Sequence, residues 1–230
     1  MIPNGLSTEV YSPFPKDEAK RAWGVQPGAK TVLFPSLDPN GDRRKGFDLL
    51  MEALDQLRRS GHQIHLLVLG AGHPKPGLEF RFPTTFLGRL QDDQALRLAY
   101  SAADVVVVPS RQENLANTLM EAMACGVPTV AFRIGGNPDM IDHGSNGYLA
   151  DPDDCGDLAH GISLCLGTER ARDWGESARR KAVSQWDLKI VADLHQDLYH
   201  RVEREWTLGT PVDGARETWT SELSPTGELV

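Results

Sequence analysis

Residues 104–132, DVVVVPSRQENLANTLMEAMACGVPTVAF, contain a strand, a helix and a second strand in succession. Residues 104–110 carry four consecutive valines with no apolar and polar alternation, which is typical of a central parallel strand covered on both faces. Residues 117–126 have a polar start and a glycine stop, which predict a helix, and 128–132 predict the next strand. Two strands joined through a helix are the unit from which parallel sheets are built.

The same alternation extends on both sides of this stretch. Further predicted strands are 31–35, Ile64–Gly70, Thr84–Gly88 and Gly147–Ala150, and further predicted helices are 47–57, 92–103, a short helix with Asn137 as cap and Pro138 at its first position, 154–166, Glu169–Gln185 and 187–206. The fold class is therefore α/β: a Rossmann-like parallel sheet with helices on both faces, followed by C-terminal helices. We expect one domain over 1–207 and, because the last residues are polar and aperiodic, a disordered tail over 208–230.

Composition limits the partners that the chain can have. Its 230 residues include 32 acidic and 24 basic ones, a net charge of −8, which argues against broad binding to nucleic acid or anionic membranes but allows a local basic pocket. No apolar stretch approaches the roughly 20 residues of a membrane-spanning helix, and MIPNGLSTEV does not resemble a secretory signal. The cysteines (Cys125, Cys155 and Cys165) lack C-x-x-C spacing, which favours buried thiols in a reducing cytosol.

Ligands of such sheets bind beyond the carboxyl ends of the strands, so the loops that follow strands are the places to search. In the loop after the valine strand, Glu113 precedes the predicted helix and Glu121 lies one turn inside it. The free amides of Leu115 to Thr118 at the helix N-terminus predict an anion site. Carboxylates accept hydrogen bonds from vicinal hydroxyls, so a sugar joined to a diphosphate would use both features. The alternative is that Glu113 caps the helix and Glu121 is a solvated surface residue.

A second loop, GDRRKG at 41–46, places Arg43, Arg44 and Lys45 just before a helix. In an acidic protein this suggests a phosphate clamp, and a solvated basic turn is the alternative. The loop does not have the Walker pattern. The run GAG at 70–72 lacks the third glycine of a dinucleotide fingerprint because position 75 is Lys75, so NAD or FAD binding is not favoured.

From Pro3 to about Glu203, the chain resembles the C-terminal, donor-binding half of a retaining family 4 glycosyltransferase of the GT-B fold (glycosyl transferases group 1). The matching segments, in the family's order, are PNG at 3–5, KGFDLLMEAL at 45–54, LLVLGAG at 66–72, FLGRL at 86–90, SAADVVVVPS at 101–110, the E-x7-E region at 109–132 and GGNPDMIDHGSNGYLADPDD at 135–154. Each motif alone is weak, but the ordered set is very specific.

The resemblance implies a role for each matching residue. Glu121 would hold the ribose hydroxyls of a nucleotide sugar, and Glu113, at the catalytic position, would contact the donor sugar. Lys45 would bind the diphosphate. The other implied donor contacts are Gly88 and Arg89 at the base, and Asn114, Leu115, Ala116, Asn117 and Thr118 at the helix N-terminus. The donor would be UDP- or GDP-linked, and the transfer would retain the anomeric configuration without a metal or cofactor, since the donor loops hold no D-x-D triplet.

Two departures from the family accompany the resemblance. The family's Gly-Arg after the first strand is replaced by Pro35-Ser36, and we expect Arg44 or Arg43 to take the place of that arginine on the phosphate. The acceptor-binding domain is missing, so we expect activity to require a separate acceptor domain or chain. Tyr199 and Trp206 are then either apolar surface without a partner or part of the core.

Three functions remain open at this point. The chain is the donor half of a transferase, a nucleotide-sugar binding module or inactive fragment without transferase activity, or half of a sugar-nucleotide epimerase. The resemblance suggests cell-surface or exopolysaccharide synthesis, in the cytosol or at the inner face of the membrane through peripheral association. The base, the sugar and the acceptor are not specified by these residues.

Overall fold

The computed structural model describes residues 2–36, 38, 41–71, 80–167 and 169–207. In this part of the chain six parallel strands form one sheet in the order β3-β2-β1-β4-β5-β6. The strands are β1 Lys30–Ser36, β2 Ile64–Gly70, β3 Thr84–Gly88, β4 Val105–Val108, β5 Thr129–Phe132 and β6 Gly147–Ala150. The helices are α1 Lys16–Ala22, α2 Phe47–Arg59, α3 Asp93–Ser101, α4 Asn117–Ala124, α5 Asn137–Met140, α6 Cys155–Cys165, α7 Glu169–Gln185 and α8 Leu188–Thr207. A 3-10 turn, Arg43–Lys45, precedes α2.

The predicted α/β class and the predicted strands are confirmed, and β4 shows why its sequence has no polar alternation. Val105 and Val107 join the core on one face of the sheet, whereas Val106 and Val108 join the core on the other. All four valines are at most 4% exposed. Because successive side chains of a strand point to opposite faces, a strand covered on both faces must be apolar at every position.

The helices divide between the two faces of the sheet as the fold class requires. Helices α1, α3 and α4 supply buried residues to the core on one face, and α2 and α6 supply them to the other. Helix α7 contributes to both cores, with Ala178 and Ala182 in the first and Trp174 in the second. This helix also holds the N-terminal segment, because the Arg179 guanidinium donates to the carbonyl oxygens of Thr8 and Tyr11 at 2.8 and 2.6 Å.

Two local expectations were wrong or incomplete. Asn137 does not cap α5: Gly136 occupies the cap position, and the Asn137 amide instead donates to the Phe132 carbonyl at 3.0 Å. Helix α1 was not predicted. It is held by the ammonium of Lys20, whose side chain is 3% exposed and lies 2.9 Å from an Asp104 carboxylate oxygen.

The C-terminal helices were predicted close to their observed bounds, but their outer faces are not covered within the described chain. Tyr199 is 65% exposed and Trp206 is 84% exposed, so the prediction that they belong to the core is wrong. Among the described helices, none is both long and apolar enough to cross a membrane. The predicted disordered tail lies outside the described residues, as do Gly72 and Lys75 of the glycine-rich loop.

The strand order places a crevice at the centre of the sheet. Strand β1 pairs with β2 on one side and with β4 on the other, all in parallel. The connections that leave β1 and β4 therefore run to opposite sides, and this opens a gap at the carboxyl ends of the two strands. In open α/β sheets, ligands bind at such a switch point.

Candidate functional site

A cavity of about 300 Å³ lies in this crevice. It is lined by Phe34, Pro35 and Ser36 from the end of β1, Lys45 from the 3-10 turn, Leu69 and Gly70 from β2, Arg89 and Leu90 after β3, Leu96 and Tyr100 from α3, Val108, Pro109 and Ser110 at the end of β4, and Thr118 and Glu121 from α4. Four residues proposed from the sequence (Lys45, Arg89, Thr118 and Glu121) thus come together at the switch point, although they are far apart along the chain.

The basic turn is held in place by its backbone. Gly46, with φ of 67°, ends the turn, and a Cβ at this position would lie 1.8 Å from the carbonyl oxygen of Pro109. Only glycine therefore lets the turn approach the loop after β4 this closely. The Arg111 amide donates to the Arg44 carbonyl at 2.7 Å and completes the attachment.

This attachment brings Lys45 to Glu113. The Lys45 ammonium lies 2.9 Å from Glu113 Oε2, and the Ser110 hydroxyl donates to the same oxygen at 3.3 Å. Lys45, whose side chain is 37% exposed, lines the cavity. Glu113, whose side chain is 14% exposed, is not among the lining residues and borders the cavity through this ion pair. The alternative that Glu113 caps the helix is wrong, because Ala116 occupies the cap position of α4 and no described side chain caps that helix.

Arg44 occupies a different place from Lys45. Its guanidinium makes two hydrogen bonds of 2.9 Å to the Asp42 carboxylate, and its side chain is 68% exposed. The hydrogen bonds from Arg44 hold the Asp42 pKa below its usual value. Neither Arg43 nor Arg44 lines the cavity, so a phosphate contact from either remains a prediction.

Arg111, which the sequence reasoning did not single out, braces the two loops. Its guanidinium makes two hydrogen bonds of 2.8 Å to Asp48 in α2 and one of 2.9 Å to the Arg43 carbonyl. These contacts tie the basic turn, α2 and the acidic loop into one unit. A basic residue beside an acidic motif was the available signal, but its partner Asp48 is identified only by the fold.

Two glycines, Gly135 and Gly136, pack against the segment around Glu113 and Asn114. Gly135, with φ of 49°, packs so closely that a Cβ would lie 1.8 Å from the Glu113 carbonyl oxygen. The Gly136 amide donates to the Asn114 carbonyl at 2.8 Å. The G-G motif therefore acts through the backbone, fixing the path of the acidic loop.

Helix α4 begins beside this loop with its first donors free. Among the described residues, the amides of Leu115, Ala116, Asn117 and Thr118 have no hydrogen-bond acceptor; the first helical bond runs from the Leu119 amide to the Ala116 carbonyl at 2.9 Å. Free amides and the helix dipole make such an end favourable for an anion. The side chain of Asn117 is not free, because its oxygen accepts from the Asn4 amide at 3.0 Å.

Glu121 forms the inner side of the cavity. Its Oε2 accepts a 2.6 Å hydrogen bond from the hydroxyl of Tyr100, a residue with no exposure. Burial raises the Glu121 pKa above its usual value, the Tyr100 hydrogen bond opposes that rise, and the charge of Asp93 adds to it. The alternative that Glu121 is a solvated surface residue is therefore wrong.

The predicted base contact lies at the far end of the cavity. Strand β3 ends at Gly88, whose amide donates to the Ala71 carbonyl at 3.1 Å, and Arg89 follows as an exposed residue that lines the cavity. Sequence reasoning missed three further lining residues, Ser36, Ser110 and Tyr100. Among the described residues, no group of three or more His, Cys, Asp or Glu is placed to hold a metal.

Comparison with known proteins identifies the family. The family model "Glycosyl transferases group 1" matches residues 29–167. A D-inositol 3-phosphate glycosyltransferase from Pseudarthrobacter chlorophenolicus is 31% identical over 215 residues, which cover 89% of this chain and 50% of that protein. The sucrose-phosphate synthase of Thermosynechococcus elongatus has a similar structure, with a TM-score of 0.75 and 27% identity over 88% of this chain and 52% of its own.

A third similar protein, Anabaena HepE, was solved in complex with UDP-glucose; it has a TM-score of 0.71 and 25% identity, covering 88% of this chain and 57% of its own. The chain thus spans about half the length of these relatives, and its fold is that of one half of a GT-B protein. Together, the family match and the relatives show that this chain belongs to the group 1 glycosyltransferases.

Proposed function

We propose that this chain is the donor-binding half of a retaining glycosyltransferase and that a nucleoside diphosphate sugar occupies the crevice between β1 and β4. One observation carries the proposal: the Lys45 ammonium, the Thr118 end of α4 and the Glu121 carboxylate line a single cavity, and the Glu113 carboxylate is joined to it through its ion pair with Lys45. A diphosphate needs the cationic and amide donors, whereas the hydroxyls of ribose and hexose need the carboxylate acceptors.

The positions of these groups order the ligand along the cavity. Glu121, fixed by Tyr100 on the inner side, accepts from the ribose hydroxyls. The diphosphate lies between Lys45 and the first amides of α4, and the base extends toward Arg89. The sugar is at the mouth, beside Glu113. Lys45 is bound to Glu113 in the free protein, so it exchanges a carboxylate for the phosphate when the donor enters and leaves Glu113 free to accept from the sugar.

The proposed reaction follows from the same geometry. The bond between the anomeric carbon and the diphosphate oxygen breaks, and the negative charge that develops on that oxygen is stabilised by Lys45 and the helix N-terminus. The acceptor hydroxyl bonds to the anomeric carbon on the same face and transfers its proton to the departing diphosphate oxygen. The acceptor is positioned by a second domain or chain. We place the reaction in the cytosol, or at the inner face of the membrane, in cell-surface or exopolysaccharide synthesis.

Thermal unfolding of the chain with UDP, GDP, ADP and their hexose conjugates tests donor binding. A ligand at 100 times its Kd stabilises the folded state by about 2.7 kcal/mol, which raises Tm by roughly 5–10 °C for a domain of this size. We expect one nucleotide to raise Tm and Glu121→Ala to abolish the shift. Glu176→Ala, which removes a 61% exposed carboxylate on α7, is the matched control and should keep it. No shift with any nucleotide would contradict the proposal.

Adding an acceptor-binding domain distinguishes sugar transfer from donor binding alone. The binding-module alternative predicts the same Tm shift but no transfer when an acceptor domain is supplied. We expect sugar transfer to appear only with both parts present, and to be lost in Glu113→Gln, because the neutral amide is a weaker acceptor for the hydroxyls of the donor sugar than the carboxylate.

A further inference from the structure

Ser36 ends the central strand with a hydroxyl that has no partner. The residue is 6% exposed and lines the cavity together with Lys45 and Ser110. Within the described residues, its Oγ is buried and makes no hydrogen bond. Other buried polar atoms without a partner belong to residues away from the cavity, among them Trp23, Thr129 and Asn137. Ser36 differs from them because this residue lines the cavity, although its Oγ is buried in the free protein.

An unpaired buried hydroxyl destabilises the folded chain, because the water it loses on burial is not replaced. The great majority of buried polar side chains have a partner for this reason. Two lining side chains carry acceptor oxygens, the Ser110 hydroxyl and the Glu121 carboxylate, but their hydrogen bonds run to Glu113 and Tyr100, and neither is bonded to Ser36. Since the Oγ is buried in the free protein, contact with a ligand requires the side chain to turn to another staggered χ1 position.

We propose that the Ser36 hydroxyl donates a hydrogen bond to a phosphate oxygen of the bound nucleotide, on the side of the diphosphate opposite the N-terminus of α4. This rests on the proposed function and adds a residue to it. A phosphate oxygen is the matching acceptor because Ser36 shares the cavity lining with the ammonium of Lys45, a cation that favours an anion there. The carboxylate that receives ribose lies on α4, across the crevice.

The test is Ser36→Ala, measured by calorimetric titration with uridine, UMP and UDP, or with the guanosine or adenosine series if that base is the one that raises the wild-type Tm. A hydrogen bond to a charged acceptor implies that the Kd for the diphosphate rises about tenfold or more. The nucleoside should bind the variant and the wild type within about twofold of each other. Loss that first appears with the monophosphate also supports the proposal and assigns the contact to the first phosphate.

The ligand-free proteins supply a second readout. Because the hydroxyl has no partner to lose, Ser36→Ala should have a Tm equal to or above that of the wild type. Thr129→Val is the matched control: it removes another unpartnered buried hydroxyl, at a fully buried position outside the cavity, and should leave binding of all three ligands unchanged.

Two results would overturn the proposal while leaving the proposed function intact. In the first, UDP binds wild type and Ser36→Ala equally well. In the second, the variant loses affinity for the nucleoside as much as for the diphosphate, which would place the hydroxyl on the base or ribose. If the wild type binds no nucleotide at all, the proposed function fails and this inference fails with it.

Discussion

Replacing Tyr100 by phenylalanine removes one oxygen atom and tests the construction of the inner side of the site. The ring has no exposure and packs in the core, and it can stay where it is. Only the 2.6 Å hydrogen bond to Glu121 is lost. Helix α4 should therefore keep its position, and any effect should arise from the freed carboxylate.

The expected size follows from the nature of that bond. A hydrogen bond to a charged acceptor contributes about 1.5–3 kcal/mol, and because Glu121 is only half-buried we expect the lower end, about 1.5 kcal/mol of unfolding free energy at neutral pH. For a domain of this size, that lowers Tm by roughly 3–6 °C.

The effect of Tyr100→Phe on Tm should depend on pH, in a direction that follows from the Glu121 pKa. The pKa of Glu121 is raised in the folded state, first by burial, so stability linked to this group is fully present below the unfolded pKa and is lost as pH rises through the folded pKa. The Tyr100 hydrogen bond opposes that rise, and its removal raises the Glu121 pKa further. The Tm difference between wild type and Tyr100→Phe should therefore be large at about pH 7 and shrink at about pH 4, where the carboxyl is protonated in both proteins.

Measurements of ligand binding show whether Tyr100 acts on the bound ligand or only stabilises the fold. If Tyr100 orients Glu121 toward a ribose diol, Tyr100→Phe should reduce the preference for UDP over its 2′-deoxy analogue. Tyr148→Phe is the matched control, because Tyr148 donates to Asp157 at the same 2.6 Å but lies outside the cavity. It should lower Tm and leave the ribose preference unchanged. An unaltered Tm at both pH values, or equal loss of ribose preference in both variants, would refute this reasoning.

Three further predictions concern the charged pairs and the close packing around the site. Lys45→Met should raise the Kd for a nucleoside diphosphate at least tenfold in calorimetric titration and leave nucleoside binding unchanged, because the ammonium meets only the phosphates. Gly135→Ala puts a Cβ 1.8 Å from a backbone oxygen and should lower the unfolding free energy by about 1–3 kcal/mol in urea, more than Gly61→Ala, whose Cβ would meet nothing within 4 Å. Asp104→Asn leaves Lys20 buried without a counter-charge and should cost about 3 kcal/mol near neutral pH. Burial opposes ionisation of Asp104, but the neighbouring lysines lower its pKa overall, so the advantage of wild type over this variant should vanish as pH falls through the folded Asp104 pKa.

The fold was predictable from the sequence because the sheet is covered on both faces. Strand β4 is then an unbroken apolar run and β1 and β2 are nearly so, and the helices between strands show a period that points at the sheet. Helix α1 escaped prediction because its residues, KDEAKRA, carry no apolar stripe. What holds it is the contact of Lys20 with Asp104, two residues 84 positions apart, and a local pattern contains no information on such a contact.

Residues of the candidate site could be predicted where a charged side chain lies in a loop that follows a strand. Lys45 and Glu113 are charged and lie in loops that follow strands, so parallel topology predicts both at the carboxyl edge of the sheet. Their pairing across 68 positions was not predicted. Tyr100 was not identified, since a sequence does not distinguish a tyrosine that fills a core from one that also holds a carboxylate. Ser36 was visible only as a departure from a family pattern, and its unpaired oxygen is a property of the packed structure.

In the free protein, several polar groups of the site have no hydrogen-bond partner, and they differ in the kind of partner they need. Ser36 and the first amides of α4 are donors without acceptors in the described structure, while Glu121 is a carboxylate held in partly buried surroundings with one hydrogen bond of the several it can accept. Ser36, Thr118 and Glu121 line the same cavity, and they need an acceptor on the ligand in one place and a donor in another. A simple anion does not satisfy both. A ligand that is anionic at one end and carries hydroxyl donors at the other does. Each group without a partner lowers the unfolding free energy of the free protein. Binding of such a ligand should therefore raise the unfolding free energy of the complex.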